Sequence, residues 1–153
     1  MVVDGDGDPG DFSVALSLSP SVAGDACPGI PVAIDATADL TIEGDTSFAK
    51  PDELGAGDCA TSAGNDVVYA VTPSQSGTLA LTVAPAANFD AEVYARTGDC
   101  DTGAQAACAA NAGAGVTEAT SFAVTAGQVV SVIVDGKGPS FGSFTLSMHL
   151  SGS

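Results

Sequence analysis

Positive charge is the scarcest feature of this chain. Lys50, Arg96 and Lys137 are its only permanent cations, against 19 acids and one histidine, for a net charge of −16. Nucleic-acid binding depends on neutralising phosphates with Lys and Arg. Three scattered cations form no basic track, so nucleic acid is excluded as a partner. Anionic membrane surfaces are disfavoured for the same reason. Tryptophan is absent and aromatics make up 5% of residues. That lowers the case for a sugar-binding platform and for an aromatic-lined glycosidase cleft. No apolar run approaches the roughly 20 residues of a membrane helix, so membrane insertion is not expected. Only Met1, Val2 and Val3 precede Asp4, with no cationic start. A secreted protein would therefore be represented here by a mature fragment or a piece of a longer chain.

Catalytic signatures are missing too. No GxSxG elbow occurs. His149 lies on the polar phase of an alternating run, two residues after Ser147, and reads as an exposed strand residue. The expectation is no enzyme and no catalytic residue. The four cysteines, Cys27, Cys59, Cys100 and Cys108, form no CxxC pair, which argues against a zinc ribbon. An even count in an acidic, Lys-poor chain favours disulfides and an oxidising, extracellular setting. Three pairings are open. The favoured one is Cys100–Cys108 across a turn with Cys27–Cys59, the latter worth roughly 3–4 kcal/mol on a chain-entropy argument.

What is present is alternation. With 45% hydrophobic residues among 153, the chain can bury a core. In Phe144-Thr-Leu-Ser-Met-His-Leu150, the apolar residues Phe144, Leu146, Met148 and Leu150 share one phase. Strand patterns recur at PVAI, ADLTIEG, DVVYAVT, GTLALTV, FDAEVYAR and twice within 116–136. DVVYAVT and GTLALTV, separated by PSQSG, are expected to form a hairpin. Tyr69 and Tyr94 fall in apolar runs and read as core. The segment 44–65 is expected to be irregular, either a surface excursion or held down by Cys59. The Ala-rich stretch 104–110 could hold one short helix. These signals predict an all-β antiparallel sandwich of about nine strands.

The chain also repeats itself. Val2-Val-Asp-Gly5 matches Ile133-Val-Asp-Gly136, and Phe12-Ser-Val-Ala-Leu-Ser-Leu18 matches Phe144–Leu150. Residues 1–18 therefore read as the closing hairpin of a preceding unit, and 19–153 as one complete unit. A tandem array with a period of about 131 residues would produce this.

The runs DVVYAVTPSQSGTLALTV, NFDAEVYARTGDC and FAVTAGQVVSVIVDGKGPSFGSFTLSMHL together resemble the bacterial pre-peptidase C-terminal domain. The matching residues are Asp66, Tyr69, Gly77, Asp90, Tyr94, Ala126, Gly127, Gly142, Phe144 and Leu146, over roughly 66–150. The cysteine pair after Tyr94 looks like versions in large secreted proteins of myxobacteria and related bacteria. The resemblance implies a jelly-roll-like β-sandwich, an accessory module on secreted proteases and adhesins, and no catalytic residues. The chain departs from the family at Ala109, Ala110, Asn111 and Ala112, where relatives often carry acids after the second cysteine. A divalent site in that loop is therefore not expected.

Calcium has one other candidate site. Asp4, Asp6, Asp8 and Asp11 alternate on a Gly-rich loop and could supply several oxygens. The loop lacks a distal Glu, and its counterpart after Asp135 keeps only the first acid. A solvated turn is the favoured reading of this stretch. The remaining acid clusters (Glu43/Asp45, Asp52/Glu53/Asp58, Asp99/Asp101) read as surface charge, and Asp66 and Asp90 as turn caps. Three functions follow: an accessory or adhesive module, an assembly subunit donating residues 2–18 to a neighbouring chain, or a calcium-dependent binder of protein fibres or polysaccharide. The expected partners are neighbouring copies or an extracellular ligand.

Overall fold

The structure is a computed structural model, and it describes residues 22–52, 55, 59, 64–110 and 113–152. Nine strands occur among the described residues: β1 (Ile30–Ile34), β2 (Leu40–Asp45), β3 (Val67–Pro73), β4 (Gly77–Pro85), β5 (Ala91–Thr97), β6 (Ala104–Ala109), β7 (Glu118–Val124), β8 (Val130–Gly136) and β9 (Ser143–Gly152). They form two sheets, ordered β1-β3-β8-β5-β6 and β2-β9-β4-β7. All pairings are antiparallel except β1 with β3. The expected all-β sandwich is therefore present.

The core lies between the sheets. Val67, Tyr69 and Val71 of β3, Val93 of β5, and Val130, Val132 and Val134 of β8 face Leu79, Leu81 and Val83 of β4 and the inward phase of β9. That β9 phase is Phe144, Leu146, Met148 and Leu150, as the alternation predicts. Their outward neighbours Thr145, Ser147 and His149 are half-buried or exposed. Small aliphatics dominate this core, which keeps the layers close.

Three local expectations fail. The run of β3 and β4 is not a hairpin: β3 belongs to the first sheet and β4 to the second. The short link Ser74–Ser76 spans the gap between sheets, roughly 10 Å. Alternation reveals strands but not which sheet they join. The same holds for β8 and β9, so the chain's own final pair is a corner between sheets, not a hydrogen-bonded hairpin. Residues 2–18, read from it by similarity, lie outside the described residues. The third failure is the helix at 104–110. Residues 104–109 form β6, paired with β5 across an irregularity at Ala95/Arg96. Sheet pairing overrides the modest helix preference of alanine.

A corner found in the sequence does hold. The Thr125-Ala-Gly127 turn carries the chain from β7 to β8 with Gly127 at φ +72°, a conformation glycine adopts freely. Gly127 N–H donates to Pro73 O at 2.8 Å, and Ala126 N–H to Ser76 Oγ at 3.0 Å, so two inter-sheet corners brace one another.

Candidate functional site

The first sheet has a second covered face. Along β5 the residues Ala91, Val93 and Ala95 point into the inter-sheet core. By alternation Glu92, Tyr94 and Arg96 point to the opposite side. There Tyr94 joins Val68 of β3, Ile133 of β8, Ala110 and Cys59 in a small buried cluster, with Cys100 and Cys108 packed against it. Three segments cover this cluster: the one before β1, the described parts of the 46–66 connection, and the β5–β6 turn. Two disulfides fasten them, Cys27–Cys100 and Cys59–Cys108.

All four cysteines are thus bonded, but in a pairing other than the one favoured from sequence. The geometry of β6 gives the reason. Cys100 lies in the turn after β5, while Cys108 sits opposite Tyr94 along the strand. Four residues beyond Ala104, at about 3.3 Å each, place it roughly 13 Å from the turn. A disulfide needs Cα atoms within about 7 Å. Of the two readings of the 44–65 segment, the one in which Cys59 fastens it fits the described residues, with Cys59 bonded to Cys108 and fully buried.

This outer cluster contains buried charge. Asp66, Glu92 and Asp135 are fully buried, and Arg96 nearly so. Tyr94 Oη donates to Asp135 Oδ2 at 3.1 Å. Desolvation first, and then the charges of Asp135 and Asp66, push the Tyr94 hydroxyl well above its usual range, so it stays a donor. The Arg96 guanidinium lies 5.5 Å from the Tyr94 ring centre and donates to Cys100 O at 2.7 Å. That ties the charge to the disulfide-bonded turn.

Glu92 is the exception. It stands opposite Asp135 in the β5–β8 register, and neither of its carboxylate oxygens has a hydrogen-bond partner among the described residues. Burial raises its pKa; the Lys137 ammonium opposes this, while Asp90 and Glu118 add to it. Lys137 itself is anchored by Nζ donating to Ala110 O at 2.7 Å. Burial of this kind disfavours the ionised form relative to an exposed carboxyl.

The residues singled out from sequence are placed as follows. Asp4, Asp6, Asp8 and Asp11 lie outside the described residues. The His149 ring meets Asp39 instead of Ser147, with Nδ1 2.5 Å from Asp39 Oδ1, and both side chains are exposed. The surface acids cap turns: Asp45 accepts from Ser47 N–H, and Asp99 from the N–H groups of Asp101 and Thr102. Hydrogen bonds from Thr102 hold the Asp99 carboxyl below its ordinary range. Asp66 does more than cap its turn. It accepts from Asp52 N–H at 3.2 Å while fully buried. One set of potential metal ligands converges among the described residues, Cys27, Cys100 and Asp101, and its two sulfurs are joined in a disulfide.

Sequence reasoning missed Glu92 and Asp135 as buried groups. It also missed an aromatic feature at one end of the sandwich. The loops after β2 and before β9 bond to each other, with Thr46 N–H donating to Gly142 O and Gly142 N–H to Thr46 Oγ1, each at 3.0 Å. Phe48 on one loop is 82% exposed and Phe141 on the other 55%. The Phe48 loop is well braced, by Ala49 N–H donating to Thr46 O and Asn65 Nδ2 to Ser47 O.

No protein-family profile and no curated protein matches the chain. Among solved structures it is similar to the pre-peptidase C-terminal domain of a collagenase from Bacillus anthracis, known from a 1.0 Å crystal structure. The match has a TM-score of 0.52 at 17% identity, and covers 80% of this chain and 98% of that domain. The fold is therefore that of a pre-peptidase C-terminal-like β-sandwich, in agreement with the resemblance read from the sequence.

Proposed function

We propose that this chain is a non-catalytic, extracellular β-sandwich module with an accessory or adhesive role, built as one unit of a tandem array. The observation that carries the proposal is the outer cluster of the first sheet, closed by two long-range disulfides. Such a cover persists only where thiols stay oxidised. The similar collagenase domain and the internal repeat support the accessory and array parts. The adhesive part rests on Phe48 and Phe141, rings held out on loops braced against each other. Exposed aromatics on rigid supports are effective anchors for a partner surface. Protein fibres are the first ligand class to test, given the enzyme that carries the similar domain.

The test is co-sedimentation with insoluble collagen, with cellulose and chitin as comparisons. The wild-type chain should pellet with the fibre, and the Phe48→Ser/Phe141→Ser variant should stay in the supernatant with an unchanged melting temperature. Failure of the wild type to pellet with any polymer, or equal pelleting by the variant, would remove the adhesive role.

A further inference from the structure

The end of the sandwich that carries Phe48 and Phe141 continues onto the outer face of the second sheet. Thr46 and Gly142 extend the β2–β9 pairing by one step. Gly142 faces inward, where a Cβ would meet Phe89. Phe141 therefore shares the outward phase of Ser143 and Thr145 on β9. Beside it, Glu43 of β2, Thr145 of β9 and Ala84 of β4 stand in one row. Asp45 and Ser143 form the next, with Ala86 N–H donating to Ser143 O. A shallow groove runs over these rows, lined by Glu43, Ala84, Ala86, Ser143 and Thr145. Thr145 is half-buried, and the other residues of the two rows are exposed. The Thr145 hydroxyl donates to the Glu43 carboxylate at 3.0 Å. The groove thus has an acid wall on β2, a floor of small side chains and an aromatic ring at its end.

The Lys and Arg side chains of the chain supply no counterion here. All three are engaged elsewhere: Lys50 with Asp25, Arg96 over the Tyr94 ring, and Lys137 on Ala110 O. We propose that the groove docks an extended, basic segment of a protein fibre, whose lysine or arginine side chains at alternate positions meet Glu43 and Asp45 while their aliphatic stems lie on Phe141. This rests on the adhesive reading above and names the kind of surface it takes. Charge complementarity selects the occupant. Glu43 and Asp45 stand two residues apart on one strand, a distance of about 6.7 Å. Like-facing side chains of an extended partner repeat at the same spacing. The Phe141 ring offers an apolar surface to the stem and its π-face to the charge. A neutral polysaccharide leaves the acid wall unused, and a second copy of this chain, at −16, is repelled by it.

Retention of the full chain on beads carrying an alternating Lys-Thr peptide tests this, with Gln-Thr beads as the neutral comparison. Two variants lose the same charge at different places: Glu43→Gln/Asp45→Asn in the groove, and Asp99→Asn/Asp101→Asn in the β5–β6 turn of the other sheet. The wild type should bind the Lys-Thr beads and pass the Gln-Thr beads. The groove variant should bind about tenfold more weakly, with an unchanged melting temperature. The turn variant should stay within about twofold of the wild type, because its charges lie beyond the screening length from the groove. Equal losses in the two variants, or equal retention on both kinds of bead, would overturn the proposal. The same groove variant is then carried through the collagen co-sedimentation. If it pellets as the wild type does, the adhesive reading stands and the basic-segment groove falls; if the wild type pellets with no polymer, the adhesive reading falls and the groove with it.

Discussion

The two sheets of this sandwich bury their strands in different ways. In the second sheet β9 and β4 alternate between buried residues and half-buried or exposed ones, with one face on the core and one toward water. In the first sheet β8 is buried at every position from Val130 to Gly136, and β5 at every position from Ala91 to Arg96. Antiparallel strands normally show the first pattern. The second arises because disulfide-fastened connections lie over the outer face and make a second small core there. A thin sandwich of small residues thus gains burial from loops instead of larger side chains. The cost is a set of carboxylates enclosed with few cations.

The largest test of this contrast is a pair of truncations. Leu146→Ala opens the inter-sheet core, and Ile133→Ala opens the outer cluster. If both are true cores, each should lose about 2–5 kcal/mol in denaturant unfolding. An Ile133→Ala loss below about 1 kcal/mol would reduce the outer cluster to a loosely covered surface. Next is the fastening itself: Cys59→Ala/Cys108→Ala should cost about 2–4 kcal/mol. It should also speed exchange in β5 and β8 more than in β4 and β9.

Glu92→Gln should act in the opposite direction. Because burial raises the Glu92 pKa above its unfolded value, the native state holds the proton more tightly. The associated stability is complete below the unfolded carboxylate range and is lost as pH rises through the folded value. The variant removes that loss. It should melt above the wild type at pH 7, and the two should converge towards pH 3. A lower melting temperature at pH 7 would show that the ionised carboxylate is stabilising. The smallest effect belongs to the outer face of the second sheet. His149→Ala breaks an exposed contact with Asp39 and should change stability by less than about 0.5 kcal/mol.

The sequence showed one sheet more clearly than the other. Period-2 alternation made β9 and its inward phase legible, because one face is wet. The strand β5 was also recognisable, and its Tyr94 read as core, yet nothing marked its outward Glu92 as buried. Nothing in AEVYAR says that the loop 22–29 and the described parts of 46–66 will return over it. Such coverage depends on contacts between residues far apart in the chain. The cysteine count pointed to disulfides, but pairing is a property of three-dimensional proximity, and the near neighbours Cys100 and Cys108 are drawn apart by the extension of β6. The sheet-switching corners were invisible for the same reason: a short link between two alternating runs serves a hairpin and a crossover equally well.

The central claim, that long-range disulfides seal the outer face of the first sheet, is tested most directly by peptide mapping without reduction. Trypsin cleaves after Arg96 and Lys137, while Pro51 protects the bond after Lys50. Fragment 1–96 then carries Cys27 and Cys59, and fragment 97–137 carries Cys100 and Cys108. Cys27–Cys100 and Cys59–Cys108 keep the two fragments joined, and further cleavage before Asp101 and between Cys27 and Cys59 should yield those two linked pairs. Separation of the tryptic fragments without reductant, or recovery of four free thiols, would contradict the account.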